Sequence, residues 1–383
     1  MVLAGLIQPP TTAQAQDRLP TRTLGKPLAE FEEPFTSVGS VRELSNGRVI
    51  VSDARDRIVQ MLDFESGEAT QVGREGQGPG EYSFPGGVYA APSDTTLLHD
   101  PLNQRLLLIA PNGKPAGQHA MRREGSGPGP NILGQLRGTD MRGRLYSQAA
   151  GFRVGPDGPQ ASDSVPIVRY DRGTQKADTI TFIAQAKSNT QVSGSQGNMR
   201  VMIGSANPLA PRDEWAVAPD GRIAVVTPDP YRVSWIAPNG ARTSGPVIPF
   251  PKVKVSDADK KAIEKQRSGG TSIAMTRSDG PNGGSASART LSARDLPPLT
   301  DWPEYKPPFV GGAARIAPNG ELWVRRTMIG EETQRYDVFD ARGQRVANVE
   351  LPKGTRLAGF GKGSVYLIRI DADDLQYLQK YAL

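Results

Sequence analysis

Residues able to do chemistry are few in this chain, and their spacing limits what they could do. The 383-residue sequence has no cysteine and two histidines. That removes disulfides, thiol catalysis and cysteine-ligated zinc or iron–sulfur centres. His99 and His119 belong to one stretch of chain, so a multi-histidine metal site is impossible and no Ser-His-Asp arrangement can be drawn. The densest acidic cluster, Asp371-Ala372-Asp373-Asp374, lacks the remaining spacing of a calcium loop and reads as a solvated turn. Two Gly-rich stretches, Arg74 to Gly80 and Arg123 to Gly129, share the pattern Arg-Glu-Gly-x-Gly-Pro-Gly. Neither is followed by Lys-Ser/Thr nor opens a helix, as a phosphate loop would. Glycine and proline instead suit a sharp return of the chain.

The elements that carry these residues repeat. Six times a short apolar strand, a turn and a second apolar strand recur, most clearly from Leu44, Ala91, Ala218 and Ala317. A period of roughly 40–50 residues with several short strands per unit is the mark of a β-propeller. We therefore expect an all-β, six-bladed propeller of four-stranded antiparallel blades. In the second unit GGVYAA is innermost, then TTLLHD, QRLLLIA and the outer PAGQHAMR. Turns at Asn46-Gly47, Asp220-Gly221 and Asn319-Gly320 join strands one and two, while Asn112-Gly113 and Asn239-Gly240 join three and four. The last unit is one strand short, and the segment from Thr21 to Ala29 is expected to supply its outer strand and close the ring. Trp215, Trp235 and Trp323 fall on repeat strands and are expected between blades.

Because strands alternate in direction, strand 2–3 loops and the crossovers between blades emerge on one face. All the long irregular segments belong there: a 2–3 loop over 151–165, crossovers over 186–212 and 254–309, and a 2–3 loop from Met328. Long loops on one side of a rigid scaffold are where binding or catalysis sits. Within 254–309 the run from Ser256 reads as a short helix N-capped by that serine. The Gly/Ser-rich run after it reads as mobile. The proline-rich LPPLTDWPEYKPPF reads as a strap across the face or as a ligand platform. Arg74, Arg123, Trp302 and Tyr305 are the candidate ligand contacts.

The Gly-rich crossover, then Tyr82-Ser83-Phe84-Pro85-Gly86-Gly87-Val88, an apolar strand, and an aspartate with a later arginine together resemble NHL-type six-bladed propeller repeats. Asp53 with Arg57 and Asp100 with Arg105 match that family's aspartate and arginine positions. The match covers residues 38–133 best, then 213–253 and 310–350. It implies a propeller with a binding role, and it assigns these Asp–Arg pairs to turn-stabilising hydrogen bonds.

Met1 to Ile7 is apolar and Ala13-Gln14-Ala15 resembles a small-x-small cleavage site, which divides the chain into a leader over 1–15 and one propeller domain over 16–383. No other run approaches about 18 apolar residues, so no membrane span is expected after the leader. The net charge is +6, scattered without a basic run, which does not point to nucleic acid. The expectation is a secreted or periplasmic, non-catalytic propeller without a cofactor, binding a protein, peptide or polysaccharide. The alternative is a hydrolase or lyase with Ca²⁺ on carboxylates at the propeller mouth.

Overall fold

The computed structural model describes residues 19–121, 135–149, 152–155, 158–186, 190–193, 200–203, 207–269, 272–280, 283–291 and 299–383, without side chains over 151–161, 187–206 and 268–298. The expected leader over 1–15 lies outside these residues.

Successive strands alternate apolar residues on both faces, so each sheet must be covered on two sides. A ring of sheets does this. Blade one is Val38–Glu43, Val49–Asp53, Ile58–Leu62 and Ala69–Gln71; blade two is Gly87–Ala90, Thr96–Asp100, Arg105–Ile109 and Pro115–Ala120. Blade three is Gln135–Thr139, Leu145–Gln148, Ser164–Asp171 and Lys176–Ala184; blade four is Glu214–Val217, Ile223–Pro228, Tyr231–Ile236 and Arg242–Ser244. Blade five is Phe309–Ile316, Leu322–Arg326, Arg335–Phe339 and Arg345–Glu350. Blade six takes Thr355–Gly361, Ser364–Ile370 and Gln376–Ala382 from the end of the chain and Ala29–Glu30 from its beginning.

The core is divided into six wedges, one per blade junction. Ile50 packs with Leu98 and Leu107 between blades one and two, while its neighbours Val49 and Val51 turn the other way to meet Tyr366 and Ile368 of blade six. Leu97 likewise meets Leu136 and Leu145 of blade three. The remaining junctions are filled around Trp215, Trp235 and Trp323, as expected of the tryptophans. Each fully buried Val, Leu or Ile contributes roughly 1.5–3 kcal/mol. Where inner strands converge, side chains run out of room: a Cβ at Gly138 would collide with Val217, and one at Gly359 would sit 3.1 Å from the Val41 carbonyl.

Ring closure is doubled. The end of the Thr21-to-Ala29 segment does complete blade six, with Ala29 opposite Lys380 in antiparallel register. Its start goes further, since Thr21–Thr23 adds a parallel fifth strand to the outer edge of blade five. Phe31 and Phe35 then insert between blades six and one.

The two faces differ as the strand directions require. One face carries tight turns, such as those at Gly221 and Gly320, where φ values of +86° and +84° require glycine. The other face carries three extra hairpins. The first, Phe152–Gly155 with Gly158–Ala161, rises from the 2–3 loop of blade three. The second, Thr190–Ser193 with Arg200–Ile203, lies in the crossover to blade four. The third, Ser272–Gly280 with Gly283–Leu291, lies in the crossover to blade five. The hairpins stand in a row, first against second and second against third. The third is the Gly/Ser-rich run expected to be mobile; its two strands pair in antiparallel register from Ser272↔Leu291 to Gly280↔Gly283.

Helix α1, Asp257–Gly269, precedes it. Ser256 caps the helix by accepting from the Asp259 amide at 3.2 Å, and the Asp259 carboxylate accepts in return from the Ser256 amide at 2.9 Å.

Candidate functional site

The Gly-rich crossover from blade one to blade two is a braced loop. The Asp100 carboxylate accepts from the amides of Ser83 and Phe84 and from Asn103, and lies 3.6 Å from Arg105 Nε. Arg105 in turn donates to the carbonyls of Gln77, Gly78 and Glu81. This pair therefore has the turn-stabilising role the repeat pattern implies. Asp53 and Arg57 differ: Asp53 accepts from the Ser37, Arg55 and Asp56 amides, while Arg57 reaches Glu75. Arg57 has positive φ, which directs its side chain to the crossover and not back to its own strand.

Arg74 belongs to the same brace, with its guanidinium 2.7 Å from Glu81. Arg123 lies outside the described residues. Trp302 is half-buried and Tyr305 bridges to Lys254, with the Lys252 ammonium 5.8 Å from its ring. Lys306 beside it binds Asp259 of α1 at 2.7 Å, so the proline-rich run is strapped to the helix and to Val253 and Val255 just before it. Arg74 thus sits at the junction of blades one and two, and Trp302 and Tyr305 at that of blades four and five, on opposite sides of the ring. The structure does not bring them together.

What converges is a set of arginines that sequence reasoning passed over. Arg137 is the extra residue of a bulge in the inner strand of blade three, and Arg212 lies two residues before the inner strand of blade four. Arg315 lies on the inner strand of blade five. Arg137 Nη2 donates to Glu214 Oε2 of blade four at 2.8 Å, and its guanidinium sits 5.9 Å from the Trp215 ring. Arg212 rests against Gly311, where a Cβ would come within 3.3 Å of its Nη1. Its Nη2 donates to the Asn207 carbonyl at 3.2 Å, and its buried Nε has no partner among the described residues.

Arg315 donates only to the carbonyls of Gly312 and Ala314, at 3.4 and 3.0 Å, among the described residues. It is open to water yet surrounded by protein, the combination expected of a side chain lining a water-filled channel. Desolvation lowers its pKa, and Arg137 lowers it further; Tyr336 and Glu214 act the other way. Desolvation also lowers that of Arg212, opposed by Glu214 and reinforced by Arg137. Tyr89, on the inner strand of blade two, donates to the Leu136 carbonyl at 2.9 Å. Burial pushes its phenol up to about 12, against the pull of Arg137 and Arg315. Groups on the inner strands of blades two, three, four and five therefore feel one another, and these inner strands contact each other from blade to blade.

Arg137 thus pairs directly with Glu214, and Arg212 and Arg315 lie near enough to feel the same carboxylate. A dication placed here would sit among cations, whereas an oxyanion would find donors and field together. The histidines are elsewhere: His99 is on the second strand of blade two, with a pKa lowered by burial to about 4, and His119 is on the outermost strand. Asp371 spends one oxygen on the amides of Asp373 and Leu375, an ordinary exposed turn. No spacing in the sequence marks the cluster: Arg42 shares the turn-aligned inner-strand position of Arg315, yet it pairs with Asp94 of blade two.

No protein-family model matches the sequence, and no curated protein matches it. Solved structures similar in fold include a duf4221 family member from Bacteroides vulgatus, at 9% identity over 94% of this chain and 96% of that one, TM-score 0.47. A Bacteroides fragilis protein inferred to be exported aligns at 12% identity over 96% and 95%, TM-score 0.46. A gluconolactonase from Xanthomonas campestris aligns at 10% over 95% and 96%, TM-score 0.43. Likenesses this distant say nothing of ligand or reaction.

Proposed function

We propose that the protein is an exported binding propeller that takes a protein, peptide or polysaccharide at the axial mouth on its hairpin-bearing face. One observation carries this reading. Three hairpins, arising from three separate connections around blades three to five, touch one another in a single row. Elaboration confined to one rim of a rigid ring is the arrangement of a recognition surface. The resemblance to NHL-type repeats supports a binding role, and the apolar Met1–Ile7 followed by Ala13-Gln14-Ala15 supports export. Among the described residues no helix is long and apolar enough to cross a membrane.

The test is to replace the third hairpin, 272–291, by a short Gly-Ser linker and to compare both proteins on arrays of envelope oligosaccharides and peptides. Binding by the parent that vanishes in the variant, with the melting temperature unchanged, supports the mouth as the site. Binding that survives the replacement unaltered moves the site elsewhere.

A further inference from the structure

We propose that Arg137, Arg212 and Arg315, gathered around Glu214 at the axis, bind the oxyanion of an acidic ligand, a carboxylate or a phosphate. This rests on the reading that the mouth is the binding site, and it names the chemistry recognised there.

The charge balance comes first. Three guanidiniums accompany one carboxylate, an excess of two positive charges, and Arg325, which makes no ion pair among the described residues, adds to the field at Arg315. Nature rarely gathers desolvated like charges without a counter-ion, since each raises the cost of the others. The donors come second. Arg212 Nε has no acceptor among the described residues, and Arg315 spends Nη1 on carbonyls while remaining open to channel water. A planar fork of this kind matches a carboxylate or phosphate with two parallel N–H bonds.

Construction comes third. Gly311 leaves room for Arg212 to lie flat against the backbone of the next blade, and Trp215 backs Arg137. Tyr89 on blade two stays protonated at any ordinary pH, with its hydroxyl on the Leu136 carbonyl, and so does not compete as an anion. Glu214 holds Arg137 in place but cannot neutralise all three cations. An entering oxyanion completes the balance.

Isothermal titration of the full chain at constant ionic strength, with galacturonate, inorganic phosphate and neutral galactose as probes, tests this. Galacturonate or phosphate should bind and galactose should not; the stronger of the two identifies a sugar acid or a phosphate as the source of the oxyanion. Arg315→Gln should weaken binding about tenfold, the effect of removing one close charge. Glu214→Gln removes the resident anion and should strengthen it severalfold. Arg22→Ala changes net charge equally but lies on the outer edge of blade five, and should leave affinity unchanged.

Binding of neither anion, equal binding of galactose, or equal weakening by Arg315→Gln and Arg22→Ala would each overturn the proposal. Array ligands that need the third hairpin but ignore both axial substitutions would do so too, while leaving the mouth as the binding site. Melting temperatures of all variants separate a lost site from a lost fold.

Discussion

Arg22 and Glu321, separated by 299 positions in the chain, form a forked ion pair, with Nη1 and Nη2 at 2.9–3.0 Å from the carboxylate. The pair ties the parallel strand Thr21–Thr23 to the turn between the first two strands of blade five. Two strands from the beginning of the chain therefore grip two different blades from its end.

Removing residues up to Glu30 is expected to destabilise the ring by on the order of 2–3 kcal/mol, because blade six then loses its outer strand. Arg22→Ala alone should cost no more than about 1 kcal/mol, as an exposed pair. Urea unfolding followed by tryptophan fluorescence distinguishes them. An unchanged midpoint in the truncated chain would dismiss the clasp as a passive tail.

Acid should loosen the same seam. Three carboxylates there are held below their ordinary value of 4.5. For Glu30 the main cause is the hydrogen bond from Arg369. For Glu43, burial pushes upward but is outweighed by Tyr366, the Lys362 amide and Ser364; for Glu321, burial is outweighed by Arg22 and Asn319. A depressed carboxyl pKa stabilises fully above the unfolded value and loses that contribution as pH falls through the lower folded one. Stability should thus be flat down to about pH 5 and fall below 4.5. Replacing Glu43 by Gln should flatten that fall in unfolding curves taken across the range; an equally steep fall would assign it to other groups.

Gly138 should tolerate no side chain, since its Cβ would strike Val217 on the next blade. Overpacking of this kind costs roughly 1–3 kcal/mol. Gly138→Ala is expected to lose that much, and adding Val217→Ala should restore part of it. Additive losses in the double mutant would show that the two positions do not press on each other.

Asp100→Ala should cost roughly 3–5 kcal/mol, because it leaves the buried Arg105 without its carboxylate and two amides without an acceptor. Proteolysis should then cut first within 74–82, the crossover that Asp100 and Arg105 brace. Cleavage elsewhere would give the brace no local role.

The fold was legible because a propeller writes its period into the sequence. Asn-Gly and Asp-Gly turns mark each unit, and strands such as Leu97–Leu98 read as unbroken apolar runs because each face meets a different blade. The third hairpin was not, since Gly- and Ser-rich strands lack the bulk that signals pairing. Nor was the parallel strand at Thr21–Thr23, whose three residues are exposed and make only edge contacts. The arginines escaped notice for a different reason. Arg137, Arg212 and Arg315 are far apart in the chain and follow no motif; only ring closure brings blades three, four and five to a common axis. Arg74, Trp302 and Tyr305 stand out by composition near the loops, which carries no information about which side of a ring a loop stands on.

The three hairpins arise from the 2–3 loop of blade three and from the crossovers to blades four and five, and they touch in sequence, first to second and second to third. A ligand gripped by that row would be held along a line and not around a circle, which gives binding there a direction: an extended chain could lie along the hairpins with one terminus leading.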